Sequence, residues 1–350
     1  MYRSQPVLNA LHTFVAFTLL SSQKLLSVMR PTQHNIVFPC CCCCFVAKHG
    51  WMGALFAEKH GWMGDAQVSA MQAVWNFDAA AGYRAWVRSM LDNQAINAKA
   101  DPALLGAVNS IVPPGDWPLK TADASWGVAI GVVPLQLLNQ YGDVSLIREA
   151  YAGIRAYWQF LVNQTDPKVG LMIDQAQWGD WDAAFDRKFY QPNTMFIGAT
   201  SAHMQLAQIL EQVAPLALDG TTSDSDVAEY RTFLNHSRGL YNAYYQNKTH
   251  PFLYVDGVEQ TVTLLPLTLG FVPDNLIAQA QAWLIHDIET TRNMHLSTGA
   301  TGTRLLFPYL SKVGRTDLAA QLAAQSTYPS HGFWVTQGAL HNCTYLRCSL

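Results

Sequence analysis

The sequence predicts an all-α fold, a stack of antiparallel helical hairpins, on three observations. Apolar residues recur at spacings of three and four through the middle of the chain. Cap-forming and turn-forming residues divide these runs into lengths that suit a helix. Strand-like alternation is missing except for a short piece at residues 252–255. Helices of this length joined by short or medium loops bury their apolar stripes by pairing.

In order, Asp65 has the side chain of an N-cap and precedes a long helix-compatible run, residues 66–94. Its stripe is Val68, Met71, Trp75, Ala79, Tyr83 and Val87. Residues 93–118 read as an irregular connection around Pro113-Pro114-Gly115. A second helix is expected over 124–140, stopped by Tyr141-Gly142. Asp143 then caps an amphipathic helix carried by Leu146, Ala150, Ile154, Tyr157 and Leu161. Residues 167–182 read as a loop. Further helices are expected over 194–213, 226–245, 275–291, 302–312 and 317–325.

Composition narrows the class of protein. Of 350 residues, 50% are hydrophobic and only 13% are charged, against roughly 25% in average soluble domains. That is enough apolar sequence for a large core. The net charge of −3, with no block of Lys or Arg, argues against nucleic acid and against acidic membrane surfaces as partners. Eleven Trp and fourteen Tyr are many for this length; most are expected in the core, and the remainder could stack on the apolar faces of sugars.

The acidic residues mark boundaries. The first is Glu58 and the last Asp317, leaving 57 residues before and 33 after with no carboxylate. Residues 1–57 therefore read as a separate leader or low-complexity segment, 58–339 as the main domain and 340–350 as a divergent tail. Within the leader, the apolar run at 7–20 follows Arg3 and precedes Ser21 and Ser22, the pattern of a signal peptide. It is too short, and too interrupted by Asn9, His12 and Thr13, to span a membrane. A leader unrelated to the rest of the chain fits equally. Asn-x-Ser/Thr sequons at Asn163, Asn235, Asn247 and Asn342 point the same way, towards secretion. Cys40 to Cys44 are consecutive, and neighbouring side chains diverge along a chain, so no metal site is expected from them.

The chemistry concentrates in Glu58-Lys59-His60-Gly61-Trp62-Met63-Gly64-Asp65, where two carboxylates bracket a tryptophan. A copy eleven residues earlier, Lys48-His49-Gly50-Trp51-Met52-Gly53, has Ala47 and Ala54 in place of the two acids. In a helix Glu58, Trp62 and Asp65 would share one face, but Gly61 and Gly64 disfavour that by roughly 1 kcal/mol each. A glycine loop running into a helix capped by Asp65 is preferred. Asp65 can then be a cap, Trp62 core and Glu58 a surface residue, or all three can serve a site. Other groups of similar kind are Asp123-Ala124-Ser125-Trp126-Gly127 and Gln177-Trp178-Gly179-Asp180-Trp181-Asp182. His295-Leu296-Ser297-Thr298-Gly299 and Tyr328-Pro329-Ser330-His331-Gly332-Phe333 are turns; a structural role is the commoner one for a histidine such as His295.

Taken in order, these segments, with Gly314-Arg315-Thr316-Asp317-Leu318-Ala319, resemble the bacterial-type α-L-rhamnosidases of glycoside hydrolase family 78, over residues 58–339. The resemblance implies an (α/α)6 toroid of paired helices, incomplete here, and in full-length members flanking β-sandwich domains that this sequence lacks. It implies Glu58 as general acid, with Trp62 and Asp65 lining a rhamnose pocket and Trp126 and Trp181 in pocket-forming segments. The implied reaction is inverting hydrolysis of a terminal α-L-rhamnosyl bond in a rhamnose-containing glycoside, with no metal or organic cofactor. Two departures stand out. Met52 and Phe56 occupy positions where the family has a supporting Asp and Arg. After Gln337-Gly338-Ala339 the family's Trp-Glu, which supplies the general base, is replaced by Leu340-His341-Asn342-Cys343-Thr344. The chain is therefore expected to have little activity, and a sugar-binding remnant or a helical-toroid glycosidase of other specificity are the alternatives.

Overall fold

The computed structural model describes residues 61–113, 121–173, 175–180, 192–255, 257 and 259–336. Among them the regular structure is helical: α1 Met63–Asn76, α2 Ala80–Ala100, α3 Ala124–Gly127, α4 Ala129–Tyr141, α5 Val144–Asn163, α6 Pro192–Ala217, α7 Gly220–Tyr245, α8 Gln260–Leu269, α9 Asp274–His286, α10 Ala300–Lys312, α11 Thr316–Ala324 and α12 His331–Thr336. A π turn, Asp287–Thr291, prolongs α9.

Helix contacts arrange these elements in two layers. α1 packs on α4, α4 on α6, α6 on α8, α8 on α10, and α10 returns to α1, which closes an inner ring. The remaining long helices lie outside it: α2 against α4 and α5, α5 against α4 and α6, α7 against α6, α9 against α8, and α11 against α10. These ten helices make five hairpins of a six-hairpin helical toroid, and α12 follows α11 as the start of a sixth. Trp86, Tyr157, Tyr230, Tyr241, Tyr254 and Phe271 are the largest side chains wholly removed from solvent between the layers.

The expected helix over 66–94 is two helices. Phe77 is extended (φ −142°, ψ 156°) and closes α1, and α2 begins three residues later. The break resets the helical phase: α1 buries Met63, Gln67, Ala70 and Val74, whereas Trp75 of the expected stripe is 72% exposed. Tyr83 and Val87, past the break, are buried as expected. The start is corrected too. α1 begins at Met63, so Asp65 lies in its first turn and not at its cap. Helix propensity argued against Gly64 inside a helix, but a Cβ there would lie 2.4 Å from Trp126 Cδ2. Close packing has outweighed propensity.

Residues 93–100, expected to be irregular, continue α2. Asn93, Gln94 and Asn97 look like loop residues because they are polar, but they are buried and serve the following loop. Gln94 Nε2 donates to Gly106 O at 2.6 Å, Asn97 Nδ2 to Ala107 O at 3.1 Å, and Asn93 Oδ1 accepts Asn109 N–H at 2.8 Å. The helix expected over 124–140 is divided at Val128 into α3 and α4. α7 starts at Gly220, ahead of the expected 226. α8 and α12 were not expected as helices. α8, Gln-Thr-Val-Thr-Leu-Leu-Pro-Leu-Thr-Leu, is buried nearly all round between α6 and α10, so no polar face reveals its period. Gly270 ends it in the left-handed region (φ 71°). The expected cap at Asp143 is present: its carboxylate accepts Leu146 N–H at 3.1 Å.

Candidate functional site

Side chains from distant parts of the sequence tie together the starts of α1 and α3, and those of α8 and α10. Ahead of α1 the backbone of Gly61 to Met63 pairs with the loop before residue 113: Val112 N–H donates to Gly61 O at 2.8 Å and Met63 N–H to Ser110 O at 2.9 Å. Trp86 Nε1 donates to Val112 O at 2.7 Å, pinning the same loop from α2. A Cβ at Gly61 would lie 1.8 Å from Val112 O, so only glycine permits this approach.

Trp62 thereby comes to rest on Trp126 of α3, edge to face, with ring centroids 5.6 Å apart at 82°. Trp126 stacks in turn on Trp178, at 5.2 Å and 22°. Three tryptophans from three segments form one aromatic wall. Trp62 and Trp126 retain 8% and 7% exposure, and Trp178 is the more open of the three. Beneath them Gln67 Nε2 donates to Ser125 O at 2.5 Å.

Two buried aspartates hold the loop that carries Trp178. Asp123, at the cap of α3, accepts Ser125 N–H at 2.7 Å and Trp178 N–H at 2.7 Å, and is bonded also by Gln177 N–H and the Ser125 hydroxyl. Asp180 accepts Gly299 N–H at 2.6 Å and Gly302 N–H at 2.9 Å, and is bonded by the Thr261 hydroxyl. Burial pushes both carboxyls above the ordinary range, and these donors pull them part of the way back. Asp180 thus caps α10 from another loop and links it to α8. Next to it Gln260 Oε1 accepts Ser297 N–H at 3.0 Å, and Gln260 Nε2 donates to Asp287 Oδ2 at 2.9 Å. The His295 ring lies between Arg292 O and Thr327 Oγ1, 2.8 Å from each, a satisfied structural histidine.

Of the residues singled out from the sequence, Trp62 and Trp126 are brought into contact. Asp65 is half-buried in the first turn of α1, its carbonyl accepting the Ser69 hydroxyl at 3.0 Å. Glu58 and Trp181 lie outside the described residues. Sequence reasoning did not select Asp123, Trp178, Asp180 or Gln260 individually. Asp123 had a legible signal, an aspartate two residues before a serine at a helix start. Asp180 had none, because its donors lie 81 to 122 residues away. Chemically, this end of the ring offers a nearly buried aromatic cluster, with Trp178 its more open member, on a rigid hydrogen-bonded floor.

Comparisons with known proteins agree with this architecture. The family model described as the bacterial alpha-L-rhamnosidase 6 hairpin glycosidase domain matches residues 56–341. An alpha-L-rhamnosidase of Streptomyces avermitilis is 29% identical over 276 residues, 79% of this chain and 24% of that protein. One from Formosa agariphila is 27% identical over 298 residues, 83% of this chain and 29% of the relative. The chain thus spans about a quarter of the length of these curated relatives. Among solved structures, an alpha-L-rhamnosidase from Dictyoglumus thermophilum superposes with a TM-score of 0.79 at 25% identity, covering 96% of this chain and 33% of that one. The Streptomyces avermitilis enzyme complexed with L-rhamnose gives 0.76 at 26% identity, covering 96% and 28%.

Proposed function

Because the chain belongs to the bacterial α-L-rhamnosidase six-hairpin glycosidase family, we propose that the loop end of its inner ring binds a rhamnose-containing glycoside, with Glu58 as the acid of an inverting hydrolysis. What supports this reading is the contiguous Trp62–Trp126–Trp178 wall, assembled at the end of the ring where the family segments meet. Trp62, Trp126 and Asp65 would line the sugar from the described part of the site, with Trp181 joining them. Residues 58–339 form the catalytic unit in this reading.

In the reaction the Glu58 carboxyl gives its proton to the glycosidic oxygen as the bond from that oxygen to the anomeric carbon breaks. A water attacks the same carbon from the opposite face and yields its proton to a second carboxylate, set roughly 6.5–9.5 Å from the first. After Ala339, where the family pattern places that base, this sequence reads Leu340-His341-Asn342-Cys343-Thr344. Positioned acid or base groups each contribute roughly 10²–10⁴-fold. The chain therefore binds the sugar and turns it over slower than an intact member by about that factor.

Two measurements on the purified chain test this. Calorimetry with L-rhamnose should show saturable binding that weakens in Trp126→Ala; no binding to the unaltered chain would end the proposal for the site. Nitrophenol release from a nitrophenyl α-L-rhamnoside should stay near background. Vigorous turnover abolished by Glu58→Gln would keep the acid and overturn the missing base.

A further inference from the structure

Between α1 and α10 lies a cavity of about 380 Å³ that no part of the rhamnoside reading uses. Its size is within the range that takes a small organic ligand. Arg304 of α10 lines it, and among the described residues no carboxylate reaches ion-pair distance of this guanidinium. Arg304 Nε is buried without an acceptor, and Nη1 donates only a long bond, 3.3 Å, to Gln67 Oε1. Arg304 is half-buried, and a partly desolvated cation with no counter-charge among the described residues favours an anion that fits beside it. The remaining walls are mixed: Val68 and Met71 of α1 and Phe307 of α10 supply an apolar part, and Gln72, Thr303 and Ser311 a polar one.

We propose that this cavity binds a small organic monocarboxylate, its carboxylate on the Arg304 fork and its apolar body against Val68, Met71 and Phe307. The planar guanidinium matches a carboxylate in two parallel hydrogen bonds. Burial lowers Arg304 to about 10, which leaves it charged at neutral pH. His331, whose ring meets Phe307 at 5.4 Å, is pushed down to about 4 by burial and is neutral there. The cavity thus presents one positive charge beside apolar side chains, suited to a monoanion with an apolar body and not to inorganic phosphate, which has none. Through Gln67, which bonds both Arg304 and Ser125 O, the cavity adjoins the tryptophan wall without sharing its lining.

The test is calorimetric titration of the full chain at pH 7 with sodium benzoate, its neutral isostere benzamide, and inorganic phosphate. Saturable benzoate binding, no matching response to benzamide or phosphate, and at least roughly tenfold weaker binding in Arg304→Met is the expected result. Absent benzoate binding, equal binding of benzamide, or an unchanged affinity in Arg304→Met would each overturn it. Should circular dichroism show that Arg304→Met is unfolded, the benzoate–benzamide comparison on the unaltered chain decides alone. L-Rhamnose at saturation should leave benzoate binding in place, so this proposal and that for the rhamnoside site fail separately.

Discussion

The carboxylate of Asp180 accepts the backbone N–H of Gly302 at 2.9 Å, across 122 positions of sequence. With Gly299 N–H and the Thr261 hydroxyl it gives the first turn of α10 a cap supplied by the Trp178 loop. One side chain therefore positions a helix, its neighbour in the inner ring and a wall of the candidate site.

Replacing Asp180 with Asn should be costly. The amide nitrogen would face donors, and a charge-assisted buried network would lose its acceptor. Asp180→Asn should lower the unfolding free energy by about 3 kcal/mol, measured by urea titration of far-ultraviolet dichroism. A change below about 0.5 kcal/mol, the size of an ordinary surface substitution, would show that the network does not support the fold.

Gly64→Ala separates propensity from packing. Propensity alone predicts that alanine stabilises α1 by about 1 kcal/mol. The ring of Trp126, 2.4 Å from the added Cβ, predicts the reverse, a loss of about 1–3 kcal/mol from overpacking. Differential scanning calorimetry reads the sign, and a raised melting temperature would refute the packing account.

His203 should make the protein acid-sensitive. Its ring is buried beside Phe233 and Trp158, with centroids 4.8 and 6.4 Å away. Burial lowers it to about 3, only partly opposed by a hydrogen bond with the Trp158 backbone. The folded value is thus below the unfolded value of about 6.5, so the unfolded chain takes up the proton first as pH falls. The stability from neutral His203 is present above pH of about 6.5 and is lost on descending towards the folded value, at no more than about 1.4 kcal/mol per pH unit. Unfolding free energies at pH 7, 6 and 5 (roughly the span below the ordinary histidine value) should show this slope, and His203→Gln should flatten it. An equal slope in the variant would assign the acid sensitivity elsewhere.

Asp143 joins a helix cap to an ion pair. Its carboxylate accepts Leu146 N–H at 3.1 Å and Arg84 Nε–H at 2.6 Å. Burial works against its ionisation, but the Leu146 N–H, the Ser145 hydroxyl and Arg84 outweigh it and hold the carboxyl below the ordinary range. Asp143→Ala should cost about 1–2 kcal/mol through the cap, more than Arg84→Ala, whose side chain is about one-third exposed. Equal losses in urea titrations of the two variants would assign the energy to the ion pair and not to the cap.

Each part of the structure was readable from sequence to the extent that its cause was local. α5 was legible because Asp143 and its apolar stripe lie within one segment. The break at Phe77 was not, since the apolar spacing runs on through it, and α8 was not, because burial on every side removes the polar face that marks a period. In the site, Trp62 and Trp126 stood out by residue type and neighbours. Their contact depends on Gly64 and on the bridge between Trp62 and Ile111, which no spacing encodes.

By itself the sequence determined the helical class, the family and the residue types available for sugar chemistry, because helix period, capping and ordered motifs are properties of contiguous residues. Only the tertiary structure decided that α10 returns to α1 to close the ring, that Asp123 and Asp180 anchor the Trp178 loop, and that Arg304 faces a cavity with no carboxylate at hand among the described residues. Those relationships join groups tens to hundreds of positions apart. They are fixed by which buried polar atoms can find a partner once the helices have packed, and that depends on the whole arrangement.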